Sequence, residues 1–352
     1  MSNLSASYLQ DVRVKYPNPF DRTEWRGPER GLRNAVMAMS SGGNTLLTSQ
    51  VSDAIAQSEG RVIEIPVVTK GAVTITNTRS CTIGGFNNTS ALLNVTFVTL
   101  VADLMMTPAQ YVNNEVARVE DFRKKLQLVK EGFEGAEEAA ILANIETNKD
   151  TFYGSPLVGA TSKYVLTGDA MQVALADQPL FYNDLDAIMR RDDFNAGQFI
   201  IGSTELSPSA RYYAAQGTAN AANVNFQFAN KNFEFTNAID NAANVDATGF
   251  ILPDGILAMD TRLAIDSRMG NMSTDGTEWG VTDILGLGHS VGYQFKSNCK
   301  DESALNATGM GHLVATLHEK WQFSYDYCIV NEYNSNSATR AGGIKKFEFL
   351  NA

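Results

Sequence analysis

The chain has 352 residues, of which 44% are hydrophobic and 19% charged, enough to bury a sizeable core and too apolar for an intrinsically disordered chain. Its formal net charge is −11, from 39 acidic against 28 basic residues, which excludes a free-standing basic nucleic-acid-binding module. The longest apolar window, Ala91 to Met106, is broken by Asn94 and Asp103, and "MSNLSASYLQDVRVKYPNPF" lacks the apolar stretch of a secretion signal, so synthesis and retention in a cytoplasm without membrane insertion are expected.

Residues 1–60 read as an arm. "YPNPF", with Pro17 and Pro19, and "WRGPERG", with Gly27 and Pro28, oppose regular elements, and one short helix is predicted from Leu46 to Gln57. From Arg61 the pattern turns to β. "RVIEIPVVTKGAVTITNTRSCTIGG" and "LLNVTFVTLVADLMM" are β-branched runs separated by the turn-forming "GGFNNTS". Together they predict a long hairpin with one apolar parity, marginal unless it lies on another surface.

"MMTPAQYVNNEVARVEDFRKKLQLVKEGF" follows. Thr107 and Pro108 form a helix start, with Thr at N-cap and Pro at the first helical position. Val112, Val116, Val119, Phe122, Leu126, Val129 and Phe133 recur at helical spacing and define one packing face. From Pro108 to Glu131 the helix would span roughly 35 Å. Gly132 and Gly135 are expected to interrupt it before "EEAAILANIETNK" resumes a shorter helical run.

Downstream, Leu180 to Arg191 reads as helix, Phe199 to Ile201 as a buried strand, and Ser207-Pro208 as a helix start. "NVNFQFANKNFEFTNAID" alternates as a strand, "GFILPDGILAMDTRLAID" gives two strands around Pro-Asp-Gly, and "HLVATLHEKWQFSYDYCIVNEYNS" and "GIKKFEFLNA" return to β.

Chemistry-bearing motifs are sparse. "GLGHSVG" has the wrong spacing for a dinucleotide fingerprint and reads as a glycine-rich turn. "NMSTDGTEWG" lacks the ligand positions of a calcium loop and reads as a surface turn. His312 and His318, six apart, miss the one-turn spacing of a zinc helix, and Cys81, Cys299 and Cys328 share no metal-ligand spacing. Asp184, Asp186, Asp192 and Asp193 beside Arg190 and Arg191 read as solvated ion pairs. No catalytic residue, cofactor or metal ligand is nominated.

The order of elements resembles the major capsid proteins of tailed bacteriophages, the Hong Kong 97 (HK97)-type fold. The likeness lies in "VADLMMTPAQYVNNEVARVEDFRKKL", "EGAEEAAILANI", "GQFIIGSTELSPSARYY", "ILPDGILAMDTRLAID" and "EKWQFSYDYCIVNEY", and covers the chain from about Arg61 onward at the level of pattern. It implies an α+β fold with an N-terminal arm (1–60), an extended β-hairpin loop (61–106), a peripheral domain with the spine helix (107–164), an axial domain (165–300) and the peripheral domain's C-terminal strands (301–352). It further implies a non-enzymatic virion protein, assembled in a host cytoplasm. Copies would form hexamers and pentamers of an icosahedral shell enclosing double-stranded DNA without sequence-specific binding. Lys70, Arg79 and Phe86 become candidates for intersubunit contact on the loop. Portal, scaffolding and decoration proteins are candidate further partners. The acidic balance suits a container that must not stick to its contents. An encapsulin-like compartment shell, a tail-tube or other virion protein, and a self-contained α/β enzyme are the alternatives.

Overall fold

The computed structural model describes residues 28–41, 49–68, 90–111, 115–152, 156–192, 194, 197–218, 231–270, 276–284, 286–305, 311–332 and 342–351. The expected arm is corrected at its C-terminal half. Gly31–Ser41 forms helix α1, in which Leu32, Ala35, Val36 and Met39 are at most 2% exposed. Their i, i+3, i+4, i+7 spacing is that of a buried helical stripe, which the preceding Gly-Pro context obscured. Helix α2 (Ser49–Gln57) follows, with Ile55 buried.

Strands β1 (Val62–Val68) and β2 (Ser90–Thr96) pair antiparallel as a two-stranded ribbon, from Val62↔Thr96 to Val68↔Ser90. One residue, Phe97, separates β2 from β3 (Val98–Met106), which belongs to a different sheet. Then come a 3-10 turn at Pro108–Tyr111 and the long helix α3, Glu115–Asn148.

The remaining elements in chain order are β4 (Val165–Thr167), β5 (Ala170–Val173), α4 (Gln178–Arg191), β6 (Gln198–Ser203), α5 (Ser207–Thr218), β7 (Lys231–Thr236), β8 (Val245–Pro253) and β9 (Leu257–Arg262). They are followed by α6 (Ile265–Met269), β10 (Glu278–Asp283), β11 (Ser290–Leu305), β12 (Gly311–Asn331) and β13 (Lys345–Leu350).

The strands sort into two larger sheets. One runs β4-β5-β13-β8-β6-β7, mixed in direction, with β13 parallel to β5 and β6 parallel to β7. The other runs β10-β11-β12-β3, with β9 also paired to β12. Tyr327 and Asp326 pair with β3 and with β9 at once, so these two strands flank opposite edges of β12.

The two sheets cut across the expected domain ranges. Strand β13, from the range 301–352, lies inside the six-stranded sheet between β5 and β8. Strands β9 and β10, from the range 165–300, join the other sheet, as does β11, which runs across residue 300. The Pro-Asp-Gly turn therefore connects two sheets and does not close a hairpin. Pairing partners this distant in sequence leave no local signature.

The six-stranded sheet carries α4 on one face. Phe181, Tyr182, Leu185, Ile188 and Met189 of α4 are buried, and Phe181 packs on Phe347 and Phe349 at centroid distances of 4.8 and 5.4 Å. Gly249 makes this possible, since a Cβ there would sit 2.3 Å from the Phe347 ring. The other core joins α1, α3 and both sheets: Leu32, Val36 and Met39 share it with Phe199 and Phe250 from one sheet and Leu257, Phe323 and Tyr325 from the other. Helix α1 is thus the wedge between the two sheets.

Helix α3 departs from expectation at both ends. Pro108 opens a 3-10 turn, and the α-helix begins at Glu115. Gly132 and Gly135 do not interrupt it, so one helix of 34 residues runs roughly 50 Å. A helical glycine costs about 1 kcal/mol against alanine. At Gly135 the absence of a side chain admits Arg30, whose guanidinium nitrogen would stand 3.1 Å from a Cβ. Among the described residues no helix is long and apolar enough to cross a membrane.

Candidate intersubunit surfaces

Val119, Phe122, Leu126, Val129 and Phe133 are 1–9% exposed, and Ile141 and Ile145 continue their stripe at 0%. Phe122 meets Trp321 at 5.2 Å and Phe133 meets Tyr325 edge-on at 5.1 Å, so the stripe lies on β12. Val116 does not belong to it, being 74% exposed. Arg118 reaches Glu319 at 2.7 Å, and Glu319 forms the last β3–β12 pair with Met106. The helical turn before Arg118 therefore projects past the end of β3. Val112, Lys70, Arg79 and Phe86 lie outside the described residues.

The stripe contains a polar joint that spacing alone did not reveal. Glu137 stands four residues after Phe133 and four before Ile141, on the buried line, and both Glu137 and Glu138 are fully buried. Glu138 caps α1, accepting from the backbone N–H of Leu32 at 3.2 Å and of Arg33 at 2.7 Å, and Thr236 donates to the same carboxylate. This satisfies orphan donors at the α1 N-terminus and places negative charge at its positive end.

Glu137 pairs with the Arg33 guanidinium and accepts from the Tyr325 hydroxyl at 2.7 Å, while Arg33 also donates to the Leu287 carbonyl. Leu287 sits in the β10–β11 turn, where Gly286 and Gly288 adopt φ of +83° and +88°. This is the turn that "GLGHSVG" predicts. His289 closes the joint, edge-on to Tyr325 at 4.4 Å with Nε2 3.4 Å from Glu137. Burial lowers the His289 pKa, with the Arg33 charge adding to the effect and Glu137 opposing it. Burial and Glu137 together push the Tyr325 phenol up. The group is enclosed by packed side chains and joins four elements, the arrangement of a structural network.

The other acidic cluster is also tertiary. Asp184 accepts from Lys163 at 2.6 Å and from the Tyr164 hydroxyl at 2.8 Å, and Asp186 pairs with Lys231 at 2.9 Å. Asp192 and Lys345, 3.3 Å apart, both have fully buried side chains, which corrects the reading of solvated helix-surface pairs. Glu278, Trp279 and Gly280, expected in a surface turn, begin β10. His318 meets the Thr107 hydroxyl at 3.2 Å. Buried Cys328 has its thiol pKa pushed up to about 12, mainly by burial. Among the described residues no group of three histidine, cysteine or acidic side chains is placed to hold a metal ion.

Among the exposed apolar residues, one group lies together along β3 and α3. Strand β3 pairs only with β12 among the described strands, leaving its other edge open. Val98, Val101 and Met105 on β3 are 46–52% exposed, and Leu128 on α3 is 66% exposed. Between β3 and α3 runs a groove of about 530 Å³, lined by Leu100, Ala102, Leu104, Leu128, Val129 and Phe133. On the far side of β3, Met105, Lys296, Lys320 and Trp321 border a second groove of about 460 Å³. An open, apolar strand edge is a template for pairing with another chain.

The ribbon is rooted beside this edge. Its inner parity, Ile63, Ile65, Leu93 and Val95, packs toward Ile55, Cys328 and Val330, so the base rests on α2 and β12. Its outer parity stays exposed, with Val62 at 50% and Leu92 at 59%. A second ribbon went unread in the sequence. Strands β11 and β12 pair from Gly292↔Ser324 to Leu305↔Gly311, whereas β10 accompanies β11 only as far as Phe295 and β3 accompanies β12 only from Glu319. The alternation Val291, Tyr293, Phe295 was its available signal.

No protein-family model matches the chain, and no curated protein sequence does. Among solved structures, one from Mycobacterium phage Che8 is similar at 10% identity and TM-score 0.42, covering 87% of this chain and 89% of that one. A capsid structure of the cyanophage P-SCSP1u is similar at 9% identity and TM-score 0.40, covering 83% and 84%. The SrpI encapsulin complex of Synechococcus elongatus PCC 7942 is similar at 9% identity and TM-score 0.39, covering 83% and 82%.

Proposed function

We propose that the protein is the repeating subunit of a closed shell of the HK97 type, a tailed-phage major capsid protein. The observation that carries this reading is the pairing of two self-sufficient cores with an apolar margin that the subunit leaves uncovered. Val62, Leu92, Val98, Val101, Met105 and Leu128 expose apolar surface along the ribbon, the open β3 edge and the neighbouring helix. Exposed apolar surface of this kind marks interaction sites.

In this reading the ribbon lies over a neighbouring copy, and Lys70, Arg79 and Phe86, in the stretch of sequence between its two strands, remain the candidates for that contact. Helix α3 is the strut that holds the margin in shape, its face from Val119 to Phe133 fixed on β12. The six-stranded sheet corresponds to the axial part, and the sheet with α3 corresponds to the peripheral part. Copies meeting in rings of six and five close an icosahedral shell, because many weak identical contacts add through multivalency. A net charge of −11 keeps the subunit from adhering to an enclosed double-stranded DNA genome.

Negative-stain microscopy and light scattering of the purified full chain test the proposal. Closed, thin-walled particles are expected. A monodisperse small species at high concentration, unchanged by candidate scaffolding proteins from the same genome, would overturn it. Tubes or stacked rings would indicate a tail-tube protein. Particles packed with a protein cargo in the native host, free of DNA, would indicate a cellular compartment.

A further inference from the structure

We propose that Arg262 is the positioning residue that fixes the angle at which the β1–β2 ribbon leaves the subunit. The inference rests on the ribbon being a contact arm, as above, and adds the device that aims it. The chain enters the ribbon through residues 58–61 and leaves it through Phe97, where Arg61 accepts from the Phe97 N–H at 2.9 Å. Both crossings meet a single guanidinium. Nη1 of Arg262 donates to the carbonyls of Ser58 and Gly60, each at 2.8 Å. Its carbon stands 3.7 Å from the centroid of the Phe97 ring. Nε donates to Asp326 at 2.9 Å, and the residue is only 7% exposed.

Asp326 completes the link to the body. It sits on β12 between β9 and β3, and its second oxygen accepts from the Thr99 hydroxyl at 2.7 Å, two residues beyond the break at Phe97. The entering strand, the leaving strand and the sheet are therefore held at one point. Arg268 adds a contact to the Ala56 carbonyl at 2.7 Å, at the end of α2. A planar guanidinium suits this place because its donors diverge in fixed directions while its face stacks on an aromatic ring. Lysine offers one point charge and neither geometry. Without Arg262 the ribbon keeps its own ladder and the hydrophobic contacts of its base, but its two crossings lose their common anchor. It would then pivot about Arg61 and Phe97.

Hydrogen–deuterium exchange on the purified full-length subunit, paired with microscopy of its particles, tests this in Arg262→Met, Arg262→Lys and Phe97→Leu. In Arg262→Met, peptides covering 58–62 and 95–99 should exchange about tenfold faster or more, the scale of one lost charge-assisted hydrogen bond. Peptides from β13 and from the β9 residues before position 262 should keep the wild-type rate. Particles should become heterogeneous in diameter or fail to close. Arg262→Lys should recover only part of the protection. Phe97→Leu, which keeps the polar contacts, should show a smaller rise at the same peptides and decides the matter if Arg262→Met does not fold.

Unchanged exchange at the root overturns the proposal. So does a rise spread evenly over both sheets, which would make Arg262 a general stabiliser. A loosened root with uniform, normal particles also overturns it. If the wild type builds no particles even with candidate scaffolding proteins present, the shell reading falls, and the exchange pattern alone then decides whether Arg262 anchors the ribbon.

Discussion

The two larger sheets solve the burial problem differently. In the six-stranded sheet, β6 is buried at every position and β8 at all but its first two, with aromatic side chains from α4 and β13 stacked on one another. In the other sheet, β3 alternates between Leu100, Ala102, Leu104 and Met106, partly or fully buried, and the exposed Val101, Asp103 and Met105. The first has a filled core, although Leu180 of α4 and Tyr212 of α5 stay 54–56% exposed beside it. The second has a buried half, against α1 and α3, and a margin that stays exposed. Burial and exposure thus sit side by side in one subunit, and substitutions should separate them.

The largest effects should come from breaking what is buried. Arg33→Met leaves the fully buried Glu137 without its cation and should cost about 3–5 kcal/mol of subunit stability, read from a denaturant midpoint. Phe347→Ala empties the stack under Gly249 and should cost a similar 3–5 kcal/mol or so, without the salt sensitivity of a charged site.

A smaller effect is expected at His289. Its folded-state pKa is depressed below the unfolded value near 6.5, so the unfolded chain binds the proton first. The associated stability is fully present above about pH 6.5 and is lost as pH falls through the folded value. His289→Gln should flatten this part of the stability–pH profile measured between pH 7.5 and 5, whereas Phe347→Ala should shift the profile without changing its slope.

The smallest change in subunit stability is expected at the margin, where assembly should respond most. Val101→Asp and Leu128→Glu lie on exposed positions and should alter unfolding by about 0.5 kcal/mol or less. Particle yield from the same variants should fall sharply. If they instead unfold the subunit, the margin belongs to the core and the contrast between the sheets is lost.

Much of the local structure was legible in the sequence. The stripe from Val119 to Phe133 follows from helical spacing, and Phe199–Ile201 and the tail strands follow from β-branched and aromatic runs. The missed elements had local signals that their neighbours masked: α1 sits after Gly27 and Pro28, and β11 follows two glycines in a turn. Other features were not legible at all. The roles of Glu137 and Glu138 have no local signal, because their partners, Arg33, Tyr325 and the α1 N-terminus, lie far away in the chain. That α3 runs on through Gly132 and Gly135 has no local signal either, since residues on both sides of the glycines pack on distant strands. The sorting of β13 into the six-stranded sheet is likewise a matter of distant pairing.

The cap on α1 bears on the order of events during synthesis. Arg33 is translated 105 residues before Glu138, the carboxylate that accepts from its backbone N–H. At about 5–20 residues per second, the ribosome delivers that carboxylate roughly 5–20 s after the helix it caps. The Tyr325 hydroxyl that shares Glu137 arrives 188 residues later again. The wedge between the sheets is therefore made well before it is seated. Until the long helix and strands β6 to β9 emerge, the apolar stripe of α1 lacks most of its partners, and the nascent chain depends on whatever shelters it in the interval.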